Sequence, residues 1–183
     1  MKSNTSALSG QLDKQKLREI DVHVRRNSDI VDEMVNELVA KYCKELDDYM
    51  RKIDEILCNQ EEPVTDDQLD DFALNLPALL YFTSEGLEAL GIEEDVAKAI
   101  RDDVYNRVRE KAEGTVADKD TAAELASQAE TIVWIAKNRA YKKIKLRQEA
   151  GYEMLNSVKK IISRRMAEYQ LSMGDTGGIS PWK

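Results

Sequence analysis

Thr121 to Ser172 is a stretch of 52 residues with no proline and a single glycine, Gly151. Placed at 100° per residue from Arg139, its apolar members share one narrow sector of the helical wheel. Ala122, Ala126, Ala129, Val133, Ala140, Ile144, Gly151, Leu155, Val158, Ile162, Met166 and Tyr169 all fall between about 80° and 180°. A break resets helical phase, so one sustained phase predicts one helix over about 121–172, roughly 75 Å long. A chain that commits so many residues to a single rod has little left for a sheet, and the fold class is all-α.

The remainder supplies further helices. Leu17, Ile20 and Val24 predict a first helix from Leu12 to Arg26. Val31, Val35, Leu38, Tyr42, Leu46, Tyr49, Ile53 and Ile56 advance in steps of three and four. They predict a second long helix over about 28–59, capped by Asn27 or Ser28. Thr65 and Gln68 have capping-box spacing and open a short helix through Leu74. Pro77 suits the first turn of a helix from Ala78 to Leu90, and Gly91 its stop. Ile92 to Glu113 forms the next helix, with Val96, Ile100, Val104 and Val108 on one face and Gly114 at its end. Glu93, Glu94 and Asp95 then occupy a first turn, where the helix dipole favours acids. Thr121 and Glu124 form a second capping box at the start of the basic helix.

The expected architecture is an elongated, coiled-coil-like helical bundle of two long helices with shorter ones between. Residues 1–11 are read as a disordered N-terminus, 12–114 as an acidic helical region, 115–172 as the long basic amphipathic helix, and 173–183 as a flexible tail. The short helices are too small to bury the whole stripe of 121–172, which predicts a homo-oligomer.

Composition narrows the function classes. Charged residues make up 34% and aromatics 6%, with 8 Gly and 3 Pro, a balance that favours solvent-bathed helices over a compact enzyme. No apolar run has the length of a membrane span, and the N-terminus lacks the apolar core of a secretory signal. Cys43 and Cys58 read as buried, reduced thiols of a cytoplasmic protein. His23 has no nucleophile partner, and there is no phosphate-binding glycine loop, HExxH or CxxC motif. The expectation is therefore no enzyme, no cofactor and no metal. Asp66, Asp67, Asp70 and Asp71 lack the alternating spacing and glycine of a calcium loop and read as a solvated helix face. A helix-turn-helix over 78–113 fails on charge, because its second helix would present Glu93, Glu94, Asp95, Asp102 and Asp103 to phosphates.

Charge is divided unevenly. Residues 131–183 carry 11 Lys/Arg against 4 Asp/Glu, whereas residues 1–130 carry 16 against 31. On the wheel, Arg139, Lys142, Lys143, Lys160 and Arg164 lie opposite the apolar sector, with Lys137, Lys145, Arg147, Lys159 and Arg165 on its flanks. Tyr141, Tyr152 and Trp134 sit among them. Cations interleaved with aromatics suit a single strand, whose phosphates pair and whose bases stack. The plainer reading is a solvated helix face, or one that docks on the acidic half of the same chain.

The block TAAELASQAETIVWIAKNRAYKKIKLRQEAGYEMLNSVKKIISRR resembles the C-terminal part of phage recombination mediators of the UvsY type, through its periodicity, its AYKK segment and its closing SRR. The resemblance covers about 50 of the 183 residues. It implies an oligomeric protein of the host-cell cytoplasm that binds single-stranded DNA, with a RecA-type recombinase or single-strand-binding protein as partner. The matching positions are Arg139, Lys142, Lys143, Lys145, Arg147, Lys159, Lys160, Arg164 and Arg165, to which the helical wheel adds Tyr141 and Tyr152 as stacking residues. The alternative is a phage-encoded inhibitor of anti-defence or anti-CRISPR type, whose acidic half mimics DNA in a cationic groove.

Overall fold

The computed structural model describes residues 4–59 and 61–175, and among them it is an all-α helical bundle without a strand. Four helices follow in order: α1 (Asn4–Cys58), α2 (Asp66–Lys111), α3 (Val116–Ala126) and α4 (Gln128–Asp175). Two compact units form, one from residues 1–38 and 90–141 and the other from 39–89 and 142–183. Helices α1, α2 and α4 each contribute to both.

The helices are fewer and longer than the sequence suggested. Asn27 and Ser28 do not start a new helix, because no glycine or proline lies between Leu12 and Cys58. Either residue costs a helix interior no more than about 0.7 kcal/mol. The helix reaches back to Asn4, inside the segment expected to be disordered. Residues 1–3 and 176–183 lie outside the described residues, while 173–175 still belong to α4.

The three short helices expected over 65–113 are one helix. The Thr65 box opens it: Gln68 N donates to Thr65 Oγ1, and Thr65 N donates to Gln68 Oε1. Pro77 lies inside, on the exposed face, while Leu69, Phe72, Leu76 and Leu80 on the opposite face are buried. An interior proline costs about 3 kcal/mol, and burying four large side chains at about 1.5–3 kcal/mol each offsets it. Gly91 does not stop the helix either. A Cβ there would lie 3.3 Å from Tyr141 Cε2, so this glycine makes room for an aromatic ring. Gly114, with φ of 111°, ends the segment as expected.

The expected helix 121–172 is interrupted once. The capping box is Thr115 with Asp118, six residues before the one expected, and α3 stops at Ser127. Buried Ser127 leaves helical geometry, with φ of −97° and ψ of 13°, while both its backbone N–H and its hydroxyl donate to Ala123 O. The buried positions before the break are Ala123 and Ser127, whereas Ala126, Ala129 and Val133 are exposed. The expected stripe is buried only from Ala140 to Val158, at Ala140, Ile144, Gly151, Leu155 and Val158, and its later members Met166 and Tyr169 are exposed.

The two units differ in their cores. In the unit of 39–89 and 142–183, Leu46 and Ile53 of α1 meet Leu69, Phe72, Leu76 and Leu80 of α2 and Leu155 and Val158 of α4. Tyr49 packs edge-on against Phe72 with ring centres 6.3 Å apart, and its hydroxyl donates to Asp71 Oδ2. Burial and that carboxylate push the Tyr49 phenol up to about 12. In the other unit the buried set is mostly small, with Ala97, Ala123, Ala136 and Ala140 beside Val35 and Leu90.

Close helix approach in the larger-cored unit depends on Gly86 and Gly151. A Cβ at Gly86 would come within 2.6 Å of Tyr42 Cδ1 and 3.3 Å of Tyr42 Cβ, whereas at Gly151 the nearest atom is a terminal methyl of Leu80. A ring is harder to displace than a methyl. Gly86→Ala should therefore lower stability by about 1–2 kcal/mol despite alanine's better helix propensity. Gly151→Ala should cost less, and urea denaturation of the two variants measures the difference.

Candidate nucleic-acid interface

Helix α4 carries ten Lys/Arg between positions 137 and 165, and the structure sorts them by what they touch. Three flank cations are engaged by acids of α1 and α2. Lys137 Nζ pairs with Glu93. Arg147 Nη1 lies 2.7 Å from Asp47 Oδ2. Arg165 donates to Asp66 Oδ1 and to the Val64 carbonyl, tying α4 to the first turn of α2. These three are the ones that dock on the acidic half. Arg164 pairs within its own helix, with Glu168.

The remaining cations face outward. Lys142, Lys143, Lys145, Lys159 and Lys160 are exposed in the unit that holds them, and Arg139 is exposed in the other unit. Lys142, Lys145, Lys159 and Lys160 have no acidic partner among the described residues.

Spacing on α4 arranges them in lines. Lys145, Tyr152 and Lys159 follow at steps of seven, close to two helical turns each, so they stack along one line about 10 Å apart. Tyr152 is 47% exposed, leaving its ring reachable between two ammonium groups. The neighbouring line is mixed, because Glu149 and Glu153 stand between Lys142 and Lys160 and all four are exposed. A shallow depression of 430 Å³ lies beside Lys159 and Lys160, lined also by Glu153, Asn156 and Ser163.

The other two aromatics are placed differently. Tyr141 is half-buried with its ring against Gly91. Trp134 donates its indole N–H to Glu94 Oε1 at 2.6 Å, Asn138 donates to the same oxygen, and the Arg101 guanidinium sits 4.9 Å from the Trp134 ring centre. Glu93 and Glu94 are therefore mid-helix partners for α4 and do not occupy a first turn. Only the spacing of Trp134, Lys137 and Asn138 on one face of α4 hinted at this cluster.

Other chemistry is sparse. His23 is exposed on α1, and Asp66 and Asp71 of the acidic cluster are engaged, by Arg165 and by Tyr49, Lys52 and Asn75. Among the described residues no group of three or more His, Cys, Asp or Glu is placed to hold a metal ion. No helix among them is long and apolar enough to cross a membrane. Burial and the neighbouring Asp47 push the Cys43 thiol up to about 11, against the pull of Arg147, whereas Cys58, expected to be buried, is exposed near the end of α1.

No protein-family model, curated protein or solved structure matches the chain.

Two measurements check this sorting of side chains. Arg147→Gln and Arg165→Gln should each lower stability by roughly 0.5–1 kcal/mol, whereas Lys159→Gln and Lys160→Gln should leave the melting temperature unchanged. A thiol reagent applied to the native protein at mildly alkaline pH should label Cys58 and spare Cys43.

Proposed function

We propose that the protein is a non-enzymatic single-stranded nucleic-acid-binding protein that engages its ligand through the outer face of α4. The observation that carries this reading is the line Lys145–Tyr152–Lys159, with an exposed aromatic ring between two lysines that lack acidic partners. The lysines would neutralise phosphates while the ring offers a face to an unpaired base. Lys142 and Lys160 extend the cationic surface, with Lys143 and Arg164 beside them. Arg147 and Arg165 act in folding, since both are held by the chain's own acids.

The likeness of residues 121–165 to UvsY-type mediators supports a place for this binding in phage recombination or replication. There the protein partner would be a RecA-type recombinase or a single-strand-binding protein. The rival inhibitor reading needs an open acidic surface. Asp47, Asp66, Asp71 and Asp120 are engaged within the chain, so such a surface would have to use other acids, among them Asp67, Asp70, Glu110 and Glu113, which are exposed.

A polarisation titration with a labelled single strand tests the proposal. Four phosphate contacts give an expected salt slope near −3. Tyr152→Ala should weaken single-strand binding by about 5- to 150-fold while changing duplex binding little. Lys145→Glu combined with Lys159→Glu should abolish binding without loss of helicity. Neutralising the two acids (Glu149→Gln with Glu153→Gln) should strengthen it. No binding at low salt, or binding indifferent to Tyr152 and both lysines, would sink the idea.

A further inference from the structure

Two apolar surfaces are left uncovered in the unit of residues 1–38 and 90–141. The first lies on α1, where Leu17, Ile20 and Val24 are 64%, 58% and 58% exposed. They continue in steps of three and four into Asn27, Val31, Met34 and Leu38, each half-buried in the chain itself. The stripe is thus packed at one end and bare at the other. The second is a groove of 460 Å³ lined chiefly by Ile92, Val96 and Ile100 of α2 and Val133 of α4. Those three α2 side chains are 59%, 52% and 52% exposed and follow at steps of four, a ridge of the kind that receives another helix.

From these surfaces we infer that α1 residues 14–26 of a second copy of this chain dock into the groove between α2 and α4. Charge selects this occupant. Residues 14–26 carry five Lys/Arg against Glu19 and Asp21, a balance of +3. Residues 92–103 carry five acids against Lys98 and Arg101, a balance of −3, and Glu130 and Lys137 on the α4 side add one charge of each sign. Pairing α1 with α1 would instead set +3 against +3. One atom in the groove also lacks a counterpart, since Glu130 Oε2 is buried without a hydrogen-bond partner. A Lys or Arg from the incoming helix supplies one.

The contact joins two different surfaces, so it closes when two copies exchange their α1 segments reciprocally. It differs from the association that the sequence suggested, in which a partner covers the stripe of 121–172. Ile144, Gly151, Leu155 and Val158 of that stripe are already buried in the single chain.

Sedimentation of the full-length protein without nucleic acid tests the inference, and its outcome is independent of strand binding. The wild type should associate in the micromolar range, more tightly at low salt. An α1 variant (Leu17→Asp with Ile20→Asp) and a groove variant (Val96→Asp with Ile100→Asp) should each weaken association at least about a hundredfold. Circular dichroism should be unchanged, since all four positions are exposed. Mixing the two variants should restore a heterodimer, because one intact α1 segment still meets one intact groove. In a Cys58→Ser background, Ile20→Cys mixed with Val96→Cys should form a disulfide between chains, a readout that does not depend on the aspartate variants folding. A monomeric wild type overturns the inference, as does a groove variant that associates like the wild type. A monomer whose groove takes up an apolar dye instead overturns it as well.

Discussion

Helices of 46 to 55 residues persist only where neighbouring helices cover their apolar stripes, and that cover is uneven along this chain. In the unit of 39–89 and 142–183, eight large side chains from three helices close a common core. Each contributes about 1.5–3 kcal/mol by leaving water. In the unit of 1–38 and 90–141 the buried positions are mostly alanine, which lets backbones approach but removes little apolar area. The same helices are therefore held firmly over one part of their length and lightly over another. Local opening should begin in the alanine-cored part.

The ion pairs add little to stability by comparison, since pairs this exposed are worth at most about 1 kcal/mol each. Their effect is selective. Acids of α1 and α2 occupy Lys137, Arg147 and Arg165, which converts a helix basic on several sides into one whose unpaired lysines lie on its outer side. The charge asymmetry of the sequence is resolved internally on the flanks and left open at Lys142, Lys145, Lys159 and Lys160.

Much of this was legible in the residues. Steps of three and four gave the all-α class, the stripe from Ala140 to Val158, the Thr65 cap and the Gly114 stop. The errors were mostly at punctuation. Asn27, Pro77 and Gly91 all suit helix ends; long-range packing overrode two of them, with Leu76 and Leu80 buried on either side of Pro77 and Tyr141 resting on Gly91, whereas Asn27 costs a helix interior too little to stop one. Ser127 runs the opposite way, because a departure from helical geometry at one residue leaves no periodic trace. For the candidate site, the cations were readable but their availability was not. Arg147 is engaged by Asp47, 100 positions away, while Lys159 has no such acid among the described residues, a difference that a helical wheel does not represent.

The contact between Gly86 and Tyr42 bears on how such long rods stay aligned. Leucine-rich stripes repeat, so two helices can slide by one turn, about 5.4 Å, and still bury apolar side chains against each other. The tyrosine ring, however, fits only where the facing helix has no Cβ. One turn earlier α2 offers Phe82 in place of Gly86. A hydrogen atom where every other residue has a carbon thus acts as a notch that fixes the register of α1 on α2.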